Sequence, residues 1–480
     1  MPEPEGNPAL RYHREPVALA GALILISGML ISALIVVGKL GPRLWAHWQD
    51  LEPRVTALAP ATATPIEAQA ATDAALADLS APALGGGRLT VLGNPAAQHY
   101  PDCSQSVART PWDLVAFDGG LYIGLGNASN RGPSPNAGPV PVIRYDPADN
   151  RFRQEVTLPE EQLDRFYQHD GQLWVPGADA RQSWRWGSLY RRDAEGGWTQ
   201  HRSLPRTVHA YALAWHASKL FAGVSITEAV PEGVGSERYG SAVAVSTDAG
   251  AHWSLIPLGG WRIFDFLRVD DQLFATDVFP GPGLQRWLDA EQRQHWHAPV
   301  YELAAAASGD RPRFRRRLDL DAATLFPDTP QAGQRAAVVE RALAWGKTAA
   351  YLGVFAAWQD RWPARGAYLA ERLREGDVRV HRIPLPARAL AFDLRLEGDA
   401  LQLLFAEPED DGRWRNSLWS SRDGRHWEAL LSFSASGPAR AVERLGDHLY
   451  FGLGSPRPPE ASVCTRTDAL SGTLIRWRTL

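Results

Sequence analysis

Two hydrophobic patterns divide this chain. From Val17 to Gly38 apolar residues run on without a polar period: "VALAGALILISGMLISALIVVG" is 22 residues with no charge. About 20 apolar residues are enough for a helix to cross a bilayer, so this stretch predicts one transmembrane helix. Lys39, Arg43, Trp45 and Trp48 follow it, and such side chains anchor a helix end at the interface. A cleaved signal peptide would have a shorter apolar core and a small-residue cleavage site. From about Pro111 the pattern becomes short alternating runs punctuated by Gly, Asp and Pro, which predicts strands.

One unit recurs in the second region: an apolar strand, a polar turn, then a strand of the type "LYxG". It starts at Trp112 ("WDLVAFDGGLYIGLG"), Asp164, Tyr211, Ile263, Arg341 ("RALAWGKTAAYLGVF"), Ala391 and Arg440. The second strands open at Leu121, Leu173, Leu220, Leu273, Ala350, Leu401 and Leu449. Most of these lie about 50 residues apart, the period of a propeller blade of four strands. The wider gap before Ala350 contains "YELAAAASGDRPRFRRRLDLDAATLFPDTP", read as an insertion between the fourth and fifth units. Outer strands such as "WGSLYRRD" and "WTQHRSLP" complete the units. An aromatic often opens the last strand: Phe152, Trp198, Trp253 and Trp427, with Trp477 comparable.

The expected fold is therefore all-β, a seven-bladed β-propeller of four-stranded antiparallel blades over residues 88–480. One N-terminal transmembrane helix (17–38) and a flexible tether precede it, with residues 1–16 a short cytoplasmic tail. The tether, 39–87, is Ala- and Pro-rich and has no aromatics from Leu51 to Gly87, so it cannot bury enough apolar surface to fold alone. "RLTVLG", Arg88–Gly93, is expected as an extra edge strand where the ring closes, and blade seven is expected to run to the C-terminus through "GTLIRWRTL".

Two turns resemble each other. "STDAGAHW" carries Ser246, Asp248, Gly250 and Trp253, and "SRDGRHW" carries Ser421, Asp423 and Trp427. These resemble the Asp-box of the BNR repeat family, Ser-x-Asp-x-Gly-x-Thr-Trp, with Ala251-His252 where the family has a variable residue and Thr. The local chemistry is structural: Asp accepts from the turn's own backbone, Gly takes positive φ, and Trp packs back. The resemblance implies fold and not activity. Its enzymatic branch, the sialidases, uses three Arg, an Asp acid/base and a Tyr–Glu pair. None of these can be placed here, and "HRIP" (His381–Pro384) comes late, where a blade's last strand belongs.

Formal net charge is -4, which offers no global electrostatic case for nucleic acid. The only cysteines are Cys103 and Cys464, near the two ends of the folded region. A Cys103–Cys464 disulfide is the preferred reading over two buried thiols, and a disulfide needs an oxidising compartment. Arg11 and Arg14 precede the span and Lys39 and Arg43 follow it, so the positive-inside rule does not orient it. The cysteines favour the propeller on the extracytoplasmic side, periplasmic or extracellular.

Other strings carry little chemistry. "GKT", Gly346–Thr348, lacks the upstream Gly of a P-loop and reads as a hairpin turn. "HWH", His295–His297, lacks a third ligand nearby, and no metal or cofactor is expected. The central clue is one level of the innermost strands, aligned as Asp113, Arg165, Ala212, Asp265, Ala342, Asp393 and Ala441. Asp113, Arg165, Asp265 and Asp393 are the candidate ligand-binding residues, with a cation or polar sugar as the matching chemistry. The competing reading is that they knit neighbouring blades. Three loops (127–141, 227–240, 406–416) and the basic run Arg311–Arg317 are further surfaces. The expected function is a membrane-anchored extracytoplasmic propeller that binds or scaffolds a glycan, cell-envelope component or partner protein. The alternative is a glycoside hydrolase or lyase, sialidase-like, on envelope or extracellular polysaccharide. Catalysis is left open, with the balance against it.

Overall fold

A computed structural model describes residues 52–61, 65–66, 79, 86–128, 136–228, 238–258, 260, 262–277, 297–304, 312–321, 335–357, 364–455 and 465–478. Among them the strands form seven separate antiparallel sheets, whose strands follow chain order from the innermost outward except where Pro65–Ile66, Arg54–Ala57 and Arg88–Gly93 take the outer edges of blades one, two and seven. This is the seven-bladed propeller. Blade five shows the plan: Arg335–Trp345, Thr348–Ala357, Ala364–Glu371 and Arg379–Arg382. The "GKT" string is its first hairpin, where Trp345 pairs with Thr348 and Gly346 takes a φ of +60°. "HRIP" overlaps its outermost strand, as expected. Second strands lie between two strands of their own blade and two neighbouring blades. Their apolar runs are accordingly buried, as at Leu121, Tyr122 and Ile123 or Leu403, Leu404 and Phe405. Among the described residues no helix is long and apolar enough to cross a membrane; Val17–Gly38 lies outside them.

Blade four corrects the expectation of an insertion. His297–Ala304 and Arg313–Asp321 are its third and fourth strands. Residues 278–296 and 322–334 on either side of them lie outside the described residues. "RFRRRLDLD" hides its strand character because it is an outermost strand with Arg313, Arg315 and Arg316 exposed.

Blade seven is closed by the N-terminal side of the propeller. Its order is Ala439–Leu445, His448–Leu453, Leu474–Arg478, and then Arg88–Gly93. The C-terminal strand is thus third, not last, and Trp477 sits inside the sheet, paired with both Leu449 and Leu89. "RLTVLG" is not an extra strand but the blade's fourth. Mixing the two termini in one sheet removes the open seam.

A buried polar network locks the same place. Asp468, in the short helix Arg466–Leu470, accepts from Ser106 Oγ (3.0 Å), Ser455 Oγ (3.3 Å) and Thr465 Oγ1 (2.6 Å). Arg109 donates to the Asp468 carbonyl, Ser471 Oγ to the Ser106 carbonyl, and Asn94 Nδ2 to the Ser471 carbonyl. Residues 94–110 and 465–471 are thereby tied across the whole length of the propeller. Cys103 opens a short 3-10 turn beside Ser106, while Cys464 lies outside the described residues.

Two pieces of the Ala/Pro-rich stretch also pair. Arg54–Ala57 runs along Thr199–Arg202 of blade two, and Pro65–Ile66 along Phe152–Arg153 of blade one. Leu58 N–H donates to the Trp198 carbonyl and Ala61 N–H to the Glu155 carbonyl. Leu79 packs against the apolar cluster shared by blades six and seven. These described residues borrow backbone partners and apolar cover from the blades they lie against, in a sequence too poor in apolar residues to fold alone.

The two resembling turns join third to fourth strands in blades three and six. In blade three, Gly250 N–H donates to Ser246 Oγ (2.8 Å), His252 N–H to Asp248 Oδ1 (2.9 Å), and Trp253 Nε1 to the Gly250 carbonyl (3.1 Å). Blade six repeats this with Gly424 to Ser421, His426 to Asp423 and Trp427 to the Gly424 carbonyl. The glycines take φ of +88° and +73°. His252 and His426 stand where the family pattern has Thr, and each ring nitrogen reaches its Asp (2.7 and 2.6 Å). Slight burial works to raise the Asp248 carboxyl, but hydrogen bonds from His252 and Ser246 overcome it and hold it at about 2.

Asp468→Ala is expected to destabilise the propeller by about 3 kcal/mol, since it strands buried hydroxyl donors; chemical denaturation measures this. The turns give a pH prediction. A carboxyl depressed in the folded state contributes stability that is complete above its unfolded value, 3.8, and is lost as pH falls through about 2. The double variant Asp248→Asn, Asp423→Asn should therefore show a shallower loss of thermal midpoint across that window than the parent protein.

Candidate functional site at the central ring

The first hairpin of each blade sets a common level. The hairpins close at Phe117–Gly120, His169–Gln172, His216–Lys219, Val269–Gln272, Trp345–Thr348, Glu397–Ala400 and Leu445–His448. Four residues before each closing pair stand Asp113, Arg165, Ala212, Asp265, Arg341, Asp393 and Ala441. Blade five therefore contributes Arg341 and not Ala342. Its small-residue run "TAAY" places the strand opener at Ala350, whereas Ala349 pairs with Ala344 as Leu401 pairs with Leu396. In five blades the register shifts just before this level, leaving Tyr211, Phe264, Glu340, Phe392 and Arg440 as extra residues. A β-bulge of this kind re-aims the next side chain.

The three carboxylates are buried, with Asp113 1%, Asp265 3% and Asp393 2% exposed. Each accepts a backbone N–H from the following blade, one residue past the ring level. Phe166 N–H donates to Asp113 (2.9 Å), Ala342 N–H to Asp265, and Val442 N–H to Asp393 (2.9 Å). Each also meets a guanidinium. Arg165 of blade two pairs with Asp265 of blade four at 2.7 Å. Arg341 of blade five pairs with Asp113 of blade one at 2.5 Å and with Asp393 of blade six. Arg165 further donates to the Glu340 carbonyl. Burial works against the charged form of Arg165, and Asp265 more than restores it. The structure thus brings together all four sequence-predicted residues and adds Arg341. It arranges them as a cross-braced ring with both carboxylate functions in use.

A cavity of about 400 Å³ begins at this ring. Its lining runs from the ring level towards the first hairpins, through Tyr167, Trp215, Arg268, Arg395 and Glu443, with nothing from the opposite side. Arg395 donates to Glu443 (3.1 Å) and Gln402 (3.0 Å), and burial raises the Glu443 carboxyl. Sequence reasoning missed these residues because it aligned one level only. The signal was present two residues on, where blades six and seven carry Arg395 and Glu443. Beside the ring, burial also pushes the Asp164 carboxyl up to about 6, although Gln162 donates to it.

The second-to-third strand loops leave from the other side of the ring. In the 406–416 loop the charges satisfy one another, with Arg415 meeting Glu407 and Glu409, and Trp414 is buried. Residues 129–135 and 229–237 of the other two loops lie outside the described residues, as do His295 and Trp296. Among the described residues no group of three or more metal-type side chains is present.

No known family matches the chain, and no characterised protein matches it in sequence. Among solved structures it is similar to Kuenenia stuttgartiensis Hydrazine Synthase, at 11% identity and a TM-score of 0.42 over 72% of this chain and 93% of that one. It is also similar to the N-terminal domain of Nup159 (11%, TM-score 0.41, 82% and 95%) and the Neurospora crassa Pan2 WD40 domain (11%, 0.37, 82% and 95%). Likeness at this level assigns no activity.

Arg341→Gln is expected to cost about 3–5 kcal/mol, because it leaves two buried carboxylates without their counter-ion. Arg268→Gln, at the exposed end of the cavity, should stay within about 0.5 kcal/mol of the parent. Urea unfolding of both variants tests the contrast.

Proposed function

We propose that this chain is a membrane-anchored propeller on the extracytoplasmic side that serves as a binding or scaffold module, for a glycan, cell-envelope component or partner protein. The observation that carries the reading is the commitment of the ring. Glycoside hydrolysis needs two carboxyl groups free to exchange protons or attack. Asp113, Asp265 and Asp393 instead each hold the next blade's backbone and a guanidinium. That weighs against the hydrolase alternative and favours a rigid platform that presents loops, the usual division of labour between scaffold and recognition. Fold alone does not choose between such roles.

The compartment rests on the uncharged stretch Val17–Gly38 and on the two cysteines. A Cys103–Cys464 bridge is part of the proposal. Its support is that Ser106, three residues past Cys103, and Thr465, which follows Cys464, converge on Asp468. The resemblance of the two turns to the Asp-box is likewise a proposal about ancestry, supported by their shared hydrogen bonds.

The test is made on the full chain in its cells. The protein is expected to float with membranes and resist alkaline extraction, and protease added outside the inner membrane should digest the propeller. Crosslinking there, with a glycan array on the detergent-solubilised chain, should give a specific glycan or partner. A propeller that stays with the soluble fraction, or that hydrolyses a polysaccharide, sinks the reading.

A further inference from the structure

The cavity on the hairpin side of the ring contains donors that lack acceptors. Among the described residues the Tyr167 hydroxyl, beside Arg165, finds no acceptor, and neither does Arg395 Nε. Both line the cavity. Arg268 lines it too, and among the described residues its guanidinium pairs with the exposed Asp271 (2.7 Å). Buried donors without acceptors are costly, so a roomy polar site that holds several of them is short of an acceptor.

Charge points the same way. The ring that floors the cavity has three carboxylates against two guanidiniums. Its hairpin half is lined by Arg268 and Arg395 against Glu443, with Asp271 and Glu397 pairing those guanidiniums from outside the lining. The remaining walls are apolar: Val115, Leu213, Leu343 and Val442, with the half-buried Trp215. The His169 ring backs the Trp215 indole at 4.4 Å and 17°, which holds that indole in place. The volume, about 400 Å³, is in the range of small-molecule sites.

We infer that this cavity binds a small organic carboxylate with a compact apolar body, its carboxylate taken by Arg268, Arg395 and Tyr167 and its body lying against Trp215. The site goes beyond the binding role proposed above. It lies on the face opposite the long loops and stands whether or not a macromolecule binds there.

The experiment is ligand-observed NMR and calorimetry on the full chain in detergent micelles, with protein-free micelles as blank. The probes are benzoate and cyclohexanecarboxylate, with benzamide as the neutral match. At least one carboxylate should bind, and benzamide should bind about tenfold more weakly, the scale of one lost charge-assisted contact. Arg268→Gln and Tyr167→Phe should each weaken carboxylate binding about three- to tenfold with an unchanged unfolding midpoint. Trp215→Leu should weaken both carboxylates while sparing the preference over benzamide. The inference is overturned if neither carboxylate binds, if benzamide binds as well as benzoate, or if Arg268→Gln and Tyr167→Phe both bind like the parent.

Discussion

Closure of the ring is the constraint on which the rest depends. A propeller blade covers its faces only with its two neighbours, so blade seven must find blade one or leave a sheet face and an edge in water. Here the chain solves both problems with one segment. Arg88–Gly93 supplies the outer strand of blade seven, and residues 94–110, which follow it, carry the seam's hydrogen bonds to Asp468 and Ser471 before the chain enters blade one. The network is buried, so its bonds act in a low-dielectric setting where each unpartnered group would be costly.

The centre of the ring applies the same logic between other blades. A carboxylate in blades one, four and six reaches the backbone of the next blade. Two guanidiniums then tie blades that are not neighbours in sequence, two to four and five to one, and Arg341 also holds its neighbour, blade six. Buried ion pairs are weak evidence for net stability, but removing one partner is severe. The residues that first suggested a binding ring are thus occupied by the architecture. The chemistry left over lies beside them, in the cavity whose donors remain unanswered, and on the loops of the opposite face.

The Asp-bearing turns show how local a structural motif can be. The Ser and Asp hydrogen bonds close inside a few residues, and the tryptophans return to the glycine carbonyl of the same turn, with Ser203 of blade two the one longer reach, to Gly250 and Trp253. That is why they could be read from eight letters, and why they say nothing about a ligand.

Much of the fold was legible because strand alternation, turn residues and the spacing of about 50 residues are properties of the chain itself. Seven units, their hairpins and the blade-three turn followed from them. Register was harder. "TAA", Thr348–Ala350, has no large apolar side chain to mark its phase, so Arg341 was displaced by one position and lost from the ring. The arginine-rich outer strand of blade four looked like an insertion, because an edge strand need not alternate. What the sequence alone determined was repeat, blade number and turn chemistry, which depend on neighbours a few residues apart. Only the tertiary structure decided that the C-terminal strand is third in its blade, that Arg341 and Asp113 meet across 228 residues, and that the charged ring is paired. Those facts depend on how the circle closes, and no local pattern encodes that.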